Sequence, residues 1–588
     1  MRAKDRGIWT ELTWAEVWDV VLDAAHALLD LGIEPGDRVS IQAENRPEWV
    51  MLELAAIAVR GVAVGVYPVD PVPATSHVVT DCQPAVHLAD DQEQVDKVLA
   101  IDRAEVLSLR RIVYVARRGM EGYADDRLMS WYAFLELGRA HRSAHPDAVR
   151  DRMAGARGDE LAALVYTPGT TGLPKGVMLT HANVEFVVRE FVLWPERFAD
   201  RRVPGPRDLV VSYLPLAYLA ERVFSSWSLV AGGSVVHFVE AVDTVETNLR
   251  DVQPTIFFGV PRVWERLHGV VLARARDASW FKRRVVCFGL GLGRRVGRTR
   301  ASHGGKDTVG SRLAYILGWI LVFRALRQRI GLRRARHAAV GGGPIAPEVL
   351  EFFLGIGVPV LELYGLTESA FLATTNLPRR LRLGTAGRPV PDVDVRIDPT
   401  TGEIQVRHDG NFAGYWNSPD ATAAAFTEDG WLRTGDLGEM TDDIHLQVFD
   451  RIDDVIVLSD GTRLPPSEIE NALKTSAYVR EAVVMADDRD GLTALLGLEP
   501  NAVSVWALRR NLSVTTYRDM VEKPELVELI DDEVRQLTEL YPELERMTRH
   551  RLLPTELGHE DGELTAMQAV KRHTLLERYA DLEETISA

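Results

Sequence analysis

Along Thr13 to Leu31, apolar positions recur at helical spacing, and Gly32 supplies a stop. Arg38 to Ile41 and Ala63 to Tyr67 switch to short β-rich runs, with a helical pattern from Trp49 to Val59 between them. Such alternation predicts an α/β architecture with largely parallel sheets. Leu161 to Val165 is an uninterrupted apolar run and predicts a buried strand. Leu313 to Phe323 is the strongest apolar run, and by itself it is too short to span a bilayer. The pattern changes near Asp450. Beyond it, Val455 to Leu458 and Ala482 to Met485 read as short strands, and Pro466 to Lys474 as a helix. Pro524 opens another helix with Leu526, Ile530, Val534 and Leu537 on one face. The expectation is a large α/β domain over 1–449 and a small α+β domain over 450–588.

Composition changes this picture little. A chain of 588 residues is too long for one core. Its 46% hydrophobic and 26% charged content is that of an ordinary globular protein. The net charge of −17 argues against a nucleic-acid partner. Cys82 and Cys287 stand far apart, so no disulfide framework is expected, which fits a cytoplasmic location. The N-terminus lacks the apolar core of a signal peptide. One stretch departs from the acidic balance. Lys282, Arg283, Arg284, Arg294, Arg295, Arg298 and Arg300 precede the apolar run, and Arg324, Arg327 and Arg329 follow it. The simpler expectation for 282–329 is a solvated helical insertion with one buried face; the alternative is peripheral contact with anionic lipid on the inner face of a membrane.

The most informative chemistry follows the apolar run at Leu161. Tyr166-Thr167-Pro168-Gly169-Thr170-Thr171-Gly172-Leu173-Pro174-Lys175-Gly176-Val177 packs glycines, hydroxyls and a lysine into a short loop. Glycine admits close backbone approach, hydroxyl and N–H groups donate, and lysine supplies charge, which together suit a polyphosphate. No Ser or Thr follows the lysine, so the Walker spacing is absent.

This loop resembles the phosphate loop of the adenylate-forming superfamily, and further motifs follow in order. Tyr364-Gly365-Leu366-Thr367-Glu368-Ser369 resembles its adenine, phosphate and magnesium segment, Thr434-Gly435-Asp436 its ribose segment, and Asp450-Arg451-Ile452-Asp453-Asp454 its hinge. Tyr213 to Arg222 and Val252 to Glu265 resemble the long-chain fatty acyl-CoA synthetases in particular. The resemblance runs from about Trp9 to about Tyr579. It implies a large N-terminal domain of layered β-sheets and helices, with a small mobile C-terminal lid hinged near 450–454. It also implies a two-step reaction. A carboxylate attacks the α-phosphorus of Mg-ATP, and a thiol such as that of CoA, or an amine, then takes the acyl group.

Residue by residue, the resemblance assigns Thr167, Thr170, Thr171, Gly172 and Lys175 to the β- and γ-phosphates. Tyr364 and Gly365 would hold adenine, Thr367 the α-phosphate, Glu368 magnesium, and Asp436 and Arg451 the ribose. Gly342 and Gly343 would wall the nucleotide and acyl pocket, and Tyr218, Phe257, Phe258 and Gly259 would line the acyl side.

Several positions depart from the pattern. Pro168 stands where the family usually has Ser or Thr, and Tyr218 where histidine is common. In Asp561 to Arg572, Ala569 occupies the position of the lysine that bridges carboxylate and α-phosphate. Losing one preorganised contact of this kind costs about a hundred- to a thousandfold in rate. Lys571, two residues on, would share a face with position 569 on a strand, and is the candidate substitute. Three readings compete: an acyl-CoA synthetase with impaired or redirected adenylation, an ATP-dependent diazotase that activates nitrite for an aromatic amine, and a nucleotide-binding protein without turnover. The first is the leading expectation.

Overall fold

The computed structural model describes residues 1–167, 173–240, 244–276, 279–441, 444–458, 461–486, 491–559 and 561–579. The first predicted helix forms over Trp14–Asp30, closed at its N-terminus by a reciprocal capping box between Thr13 and Glu16. Strands Arg38–Gln42 and Val62–Val66 flank helix Pro47–Ala58, as the alternating pattern requires. They lie at the centre of an eight-stranded sheet. From Leu161–Thr167 through Val62–Val66, Arg38–Gln42, Val86–Ala89 and Arg111–Tyr114 to Leu128–Ser130, its neighbours run parallel. At the other edge, Lys175–Thr180 and Gly414–Tyr415 are added antiparallel.

A second sheet carries Ile256–Gly259, His337–Val340 and Val360–Tyr364 in parallel, extended by Thr374–Thr375 and Arg388–Pro389. A third, antiparallel sheet, Asp394–Ile397 to Leu446–Arg451, closes the large unit. Buried strands such as Val62–Val66 are apolar without alternation because both faces are covered.

Beyond this lies a smaller unit with its own core. Leu464, Ile469, Leu473, Val484, Leu496, Leu526, Ile530, Val534 and Leu537 cluster apart from the main core. Helix Pro524–Thr538 buries the face that its sequence spacing predicts. The strand expected at Val455 to Leu458 is shorter: a 3₁₀ turn at Ile452–Asp454 leads into Ile456–Val457.

The insertion at 280–329 is helical with one buried face, as expected, but its apolar helix is longer than the sequence run and shows its large side chains outward. Trp280–Ser302 is one helix, and Val309–Gly318, Trp319–Phe323 and Arg324–Arg329 continue as a second, π-wound in the middle. The apolar run therefore belongs to a 21-residue helix, Val309–Arg329, long and apolar enough to cross a membrane by length and composition. One face of the first helix is buried, and apart from Val296 that face is Gly289, Gly293 and Gly297. A Cβ on Gly289 would meet Val322, and one on Gly297 would lie 2.4 Å from the Glu351 carbonyl oxygen. Small residues thus allow close helix packing and leave the larger apolar side chains outside.

Candidate functional site

The first half of the site is built on the antiparallel edge of the large sheet. Strand Leu161–Thr167 pairs with Lys175–Thr180 so that Thr167 stands opposite Lys175. The two ends of the phosphate-loop motif are therefore fixed in register. Pro168, Gly169, Thr170, Thr171 and Gly172 lie outside the described residues, so the assignments to Thr170, Thr171 and Gly172 rest on sequence alone. The Lys175 ammonium sits 5.3 Å from the centre of the Tyr415 ring. The Tyr415 hydroxyl donates to Glu368 Oε1 at 2.8 Å. Tyr415 thus ties the candidate phosphate lysine to the candidate magnesium carboxylate. Sequence reading passed over it; the available signal was the run Gly414-Tyr415-Trp416, whose glycine turns at φ 135°.

Glu368 is presented by a 3₁₀ turn, Thr367–Ser369, directly after strand Val360–Tyr364. The Phe412 N–H donates to its carbonyl at 2.8 Å. Ala370 and Phe371 follow in the left-handed region at φ 49° and 68°, strained for residues with side chains. Gly365 makes this return possible, since a Cβ there would lie 2.5 Å from the Phe371 carbonyl carbon.

On the nucleoside side, Asp436 and Arg451 face each other across an antiparallel pair. An Arg451 N–H group lies 3.2 Å from Asp436 Oδ1, and the Tyr364 hydroxyl donates to Oδ2 at 2.6 Å. Asp436 is only 5% exposed. Burial pushes its carboxyl above the usual range, while the Arg451 charge and the Tyr364 hydroxyl pull it back. The Gly435 N–H donates to Glu403 at 3.0 Å, which holds the Thr434-Gly435-Asp436 turn.

The apolar side centres on Gly342, at φ 85°. A Cβ there would lie 2.7 Å from the Tyr218 hydroxyl, so this ring reaches the glycine ledge only because the ledge has no side chain. Gly343 lies alongside, 3.5 Å from Pro261 by the same measure. Phe258 stacks on Phe224 at 4.6 Å and meets Phe371 edge-on at 5.6 Å, and Phe371 in turn meets Tyr218. Phe257 points the other way, between Tyr213 and Trp264, as strand alternation dictates. Phe257 and Phe258 therefore join two different aromatic groups of the same buried core. Gly259 is also packed on that side, 2.9 Å from the Trp264 indole nitrogen for an added Cβ. Phe224 and Phe371 were not foreseen, because the strained turn that aims Phe371 leaves no periodic trace.

Two charged residues in this segment are fully buried. Arg222 donates from Nε to the Leu216 carbonyl at 2.9 Å, lies 3.7 Å from Glu53 and stacks over Trp49. Burial pushes the neighbouring Glu221 carboxyl up to about 7, against hydrogen bonds from Ser225 and Ser212.

The C-terminal segment forms a narrow hairpin. Leu564 bridges Val570, and the Thr565 and Lys571 N–H groups donate to Ala569 and Glu563. Met567 packs against the main core, and Arg262 donates to the Gln568 carbonyl and side-chain oxygens at 3.3 and 3.2 Å. Ala569 is exposed beside this contact. Lys571 does not continue a strand. It is the residue before helix Arg572–Arg578, and among the described residues no ion pair joins it to Glu368 or Asp436. Its charge instead acts on His559, whose Nε2 lies 3.3 Å from Asp70 across the two units.

A lysine with flanking hydroxyls, a lone hard-oxygen carboxylate, and a tyrosine–aspartate–arginine set can bind a nucleoside polyphosphate, with a buried aromatic cluster alongside. The described residues hold no cluster of three or more metal-ligating side chains. A single carboxylate nevertheless fits magnesium, which takes most of its other ligands from phosphate and water.

Residues 3–416 match the AMP-binding enzyme family, and residues 453–586 match an AMP-binding enzyme C-terminal domain. The chain belongs to the AMP-binding enzyme family. Within it, the chain is 31% identical to the long-chain-fatty-acid–CoA ligase FadD15 of Mycobacterium bovis, over 99% of this chain and 93% of that one. It is 27% identical to human long-chain-fatty-acid–CoA ligase ACSBG2, over 98% of this chain and 88% of that one. Among solved structures, it shares the fold of a carboxylate reductase adenylation domain from Mycobacterium chelonae, with a TM-score of 0.71, 21% identity and coverage of 98% and 85%. It also shares the fold of an anthranilate CoA ligase in complex with anthranoyl-AMP, with a TM-score of 0.69, 18% identity and coverage of 97% and 92%. The chain is therefore an adenylate-forming, acyl-CoA synthetase-like protein with a large N-terminal and a smaller C-terminal domain.

Proposed function

We propose that this protein is a cytoplasmic ligase that uses Mg-ATP to activate a fatty or other apolar carboxylic acid, and passes the acyl group to CoA. The observation that carries the reading is the joined polar set. Tyr415 links Lys175 to Glu368, and Asp436 links Tyr364 to Arg451. The aromatic wall of Tyr218, Phe258, Phe224 and Phe371 supports an apolar substrate. The names of the relatives support a long-chain acid and CoA.

In this reading, Lys175 and the hydroxyls of Thr167, Thr170 and Thr171 neutralise the β- and γ-phosphates, and Thr367 donates to the α-phosphate. Magnesium, held by Glu368, would screen phosphate charge as the carboxylate approaches. Asp436 and Arg451 hold the ribose, and Tyr364 and Gly365 the adenine. The lid comprises 450–588 and pivots at 450–454. Ala569 leaves the carboxylate and α-phosphate without a bridging cation, so adenylation is slow.

Mass spectrometry of products from Mg-ATP, CoA and an acid panel tests the proposal. Acyl-adenylate and acyl-CoA are the expected products. Turnover only with nitrite and an arylamine, indifferent to CoA, would replace the reading with the diazotase one, and ATP binding without any product would replace it with a non-catalytic one.

A further inference from the structure

The helical insertion shows its apolar side to solvent. In Val309–Arg329, Leu313, Ile316, Leu317, Ile320 and Leu321 are 63, 49, 44, 72 and 43% exposed. They recur at helical spacing and so form one stripe. The opposite side, with Gly318, Val322 and Phe323, packs inward. A helix of a water-facing protein has these faces the other way round. The antiparallel partner helix, Trp280–Ser302, adds Trp280, Phe281 and Phe288, exposed by 70, 69 and 55%. Gly289 of that helix lies against Val322, so the two helices share one surface. Exposed apolar area of this extent marks a contact surface rather than ordinary solvent exposure.

Charge decides what the surface contacts. Residues 280–329 hold twelve lysines and arginines and one aspartate, within a chain of net charge −17. Lys282, Arg283, Arg284, Arg294, Arg295, Arg298, Arg312, Arg324 and Arg329 are exposed around the apolar stripe. Only Arg300 and Arg327 turn inward, to Asp307 and to backbone carbonyls. A second copy of this chain would bring the same positive rim against itself. An anionic bilayer offers the complementary arrangement, with phosphate at the rim and hydrocarbon beneath the stripe.

We propose that the helix pair 280–329 docks the protein onto the surface of an anionic lipid bilayer, lying in the interface with Leu313, Ile316, Leu317, Ile320 and Phe288 inserted. The helix Val309–Arg329 lies along the membrane rather than across it, since its inner side is held, through Val322 and Phe323, against Gly289 and Gly293. The inference does not rest on the ligase reading.

The test is sedimentation of the full chain with sucrose-loaded vesicles of phosphatidylcholine alone or mixed equally with phosphatidylglycerol. The expected result is binding to the mixed vesicles, weak binding to phosphatidylcholine, and partial loss in high salt. Leu313→Glu with Ile320→Glu lowers partitioning by about tenfold per residue, and Arg294→Glu with Arg295→Glu and Arg298→Glu lowers it on the mixed vesicles only. All five side chains are exposed, and a circular-dichroism melt verifies folding. Absence of vesicle binding would overturn the proposal. Binding unaffected by the Leu313/Ile320 pair would overturn insertion, and a dimer dissociated by that pair would assign the surface to a second copy instead.

Discussion

On the proposed function, replacing Ala569 with lysine should place a cation where the resemblance puts the residue that bridges carboxylate and α-phosphate. Ala569 is exposed on a hairpin already docked by Met567 and by the Arg262–Gln568 hydrogen bonds. Installing a side chain there displaces nothing, so its effect on stability should stay within about 0.5 kcal/mol. A positioned cationic contact at developing charge contributes roughly 2.7–4 kcal/mol, or about a hundred- to a thousandfold in kcat. The groups assigned to ATP, namely Tyr364, Asp436, Arg451 and Lys175, are untouched, so the KM for ATP should hold. Acid-dependent pyrophosphate release, measured for Ala569→Lys against the parent chain, reads the gain. Arg262→Ala in the Ala569→Lys background should remove about tenfold of it, because Arg262 fixes the hairpin. If the Ala569→Lys protein is folded, binds ATP and gains less than about threefold, the missing lysine is not what limits this site. Lys571→Ala should leave the parent activity unchanged; a loss would show that Lys571 serves as substitute despite its place before the last helix.

Glu368→Gln keeps an acceptor for the Tyr415 hydroxyl but removes the charge, so adenylation should fall about a hundredfold and require more magnesium; an unchanged magnesium titration would refute its role. Arg222→Met removes one partner of a buried pair and leaves Glu53 with only the Ser226 hydroxyl, which should cost about 3–5 kcal/mol in urea unfolding followed by tryptophan fluorescence. A cost under about 1 kcal/mol would mean that the pair contributes no more than its shape. The Asp70 carboxylate, 3.3 Å from Nε2, raises the His559 pKa, with burial and the Lys571 charge opposing. Its contribution to docking is therefore complete below the ordinary histidine value near 6.5 and is lost as pH rises through the raised value. Hydrogen-exchange protection across residues 563–570, taken relative to the intrinsic base-catalysed rate, should fall over that interval in the parent chain and should not change with pH in His559→Gln.

Much of this arrangement was legible in the chain itself. The helix at Trp14–Asp30, the parallel strands that flank Pro47–Ala58 and the face of Pro524–Thr538 follow from periodicity and caps, which are local properties. The resemblance of the motifs to the adenylate-forming superfamily singled out Lys175, Glu368, Tyr364, Asp436 and Arg451, and the fold joins them in two groups. What sequence did not reveal was long-range. Tyr415 reaches the site because a two-residue strand adds to the sheet edge beside Lys175. Phe257 and Phe258 look alike in sequence, yet strand alternation gives them different aromatic partners, Trp264 for one and Phe224 for the other. The insertion reads as an ordinary helix pair until the glycine face is seen to be the buried one.

The most direct measurement is pyrophosphate release from Mg-ATP by the purified parent protein, with a panel of apolar carboxylic acids in one set and nitrite with an arylamine in the other. Slow release that depends on an acid is the result predicted here. Release only in the nitrite set, or none in either set while ATP remains bound, would contradict it.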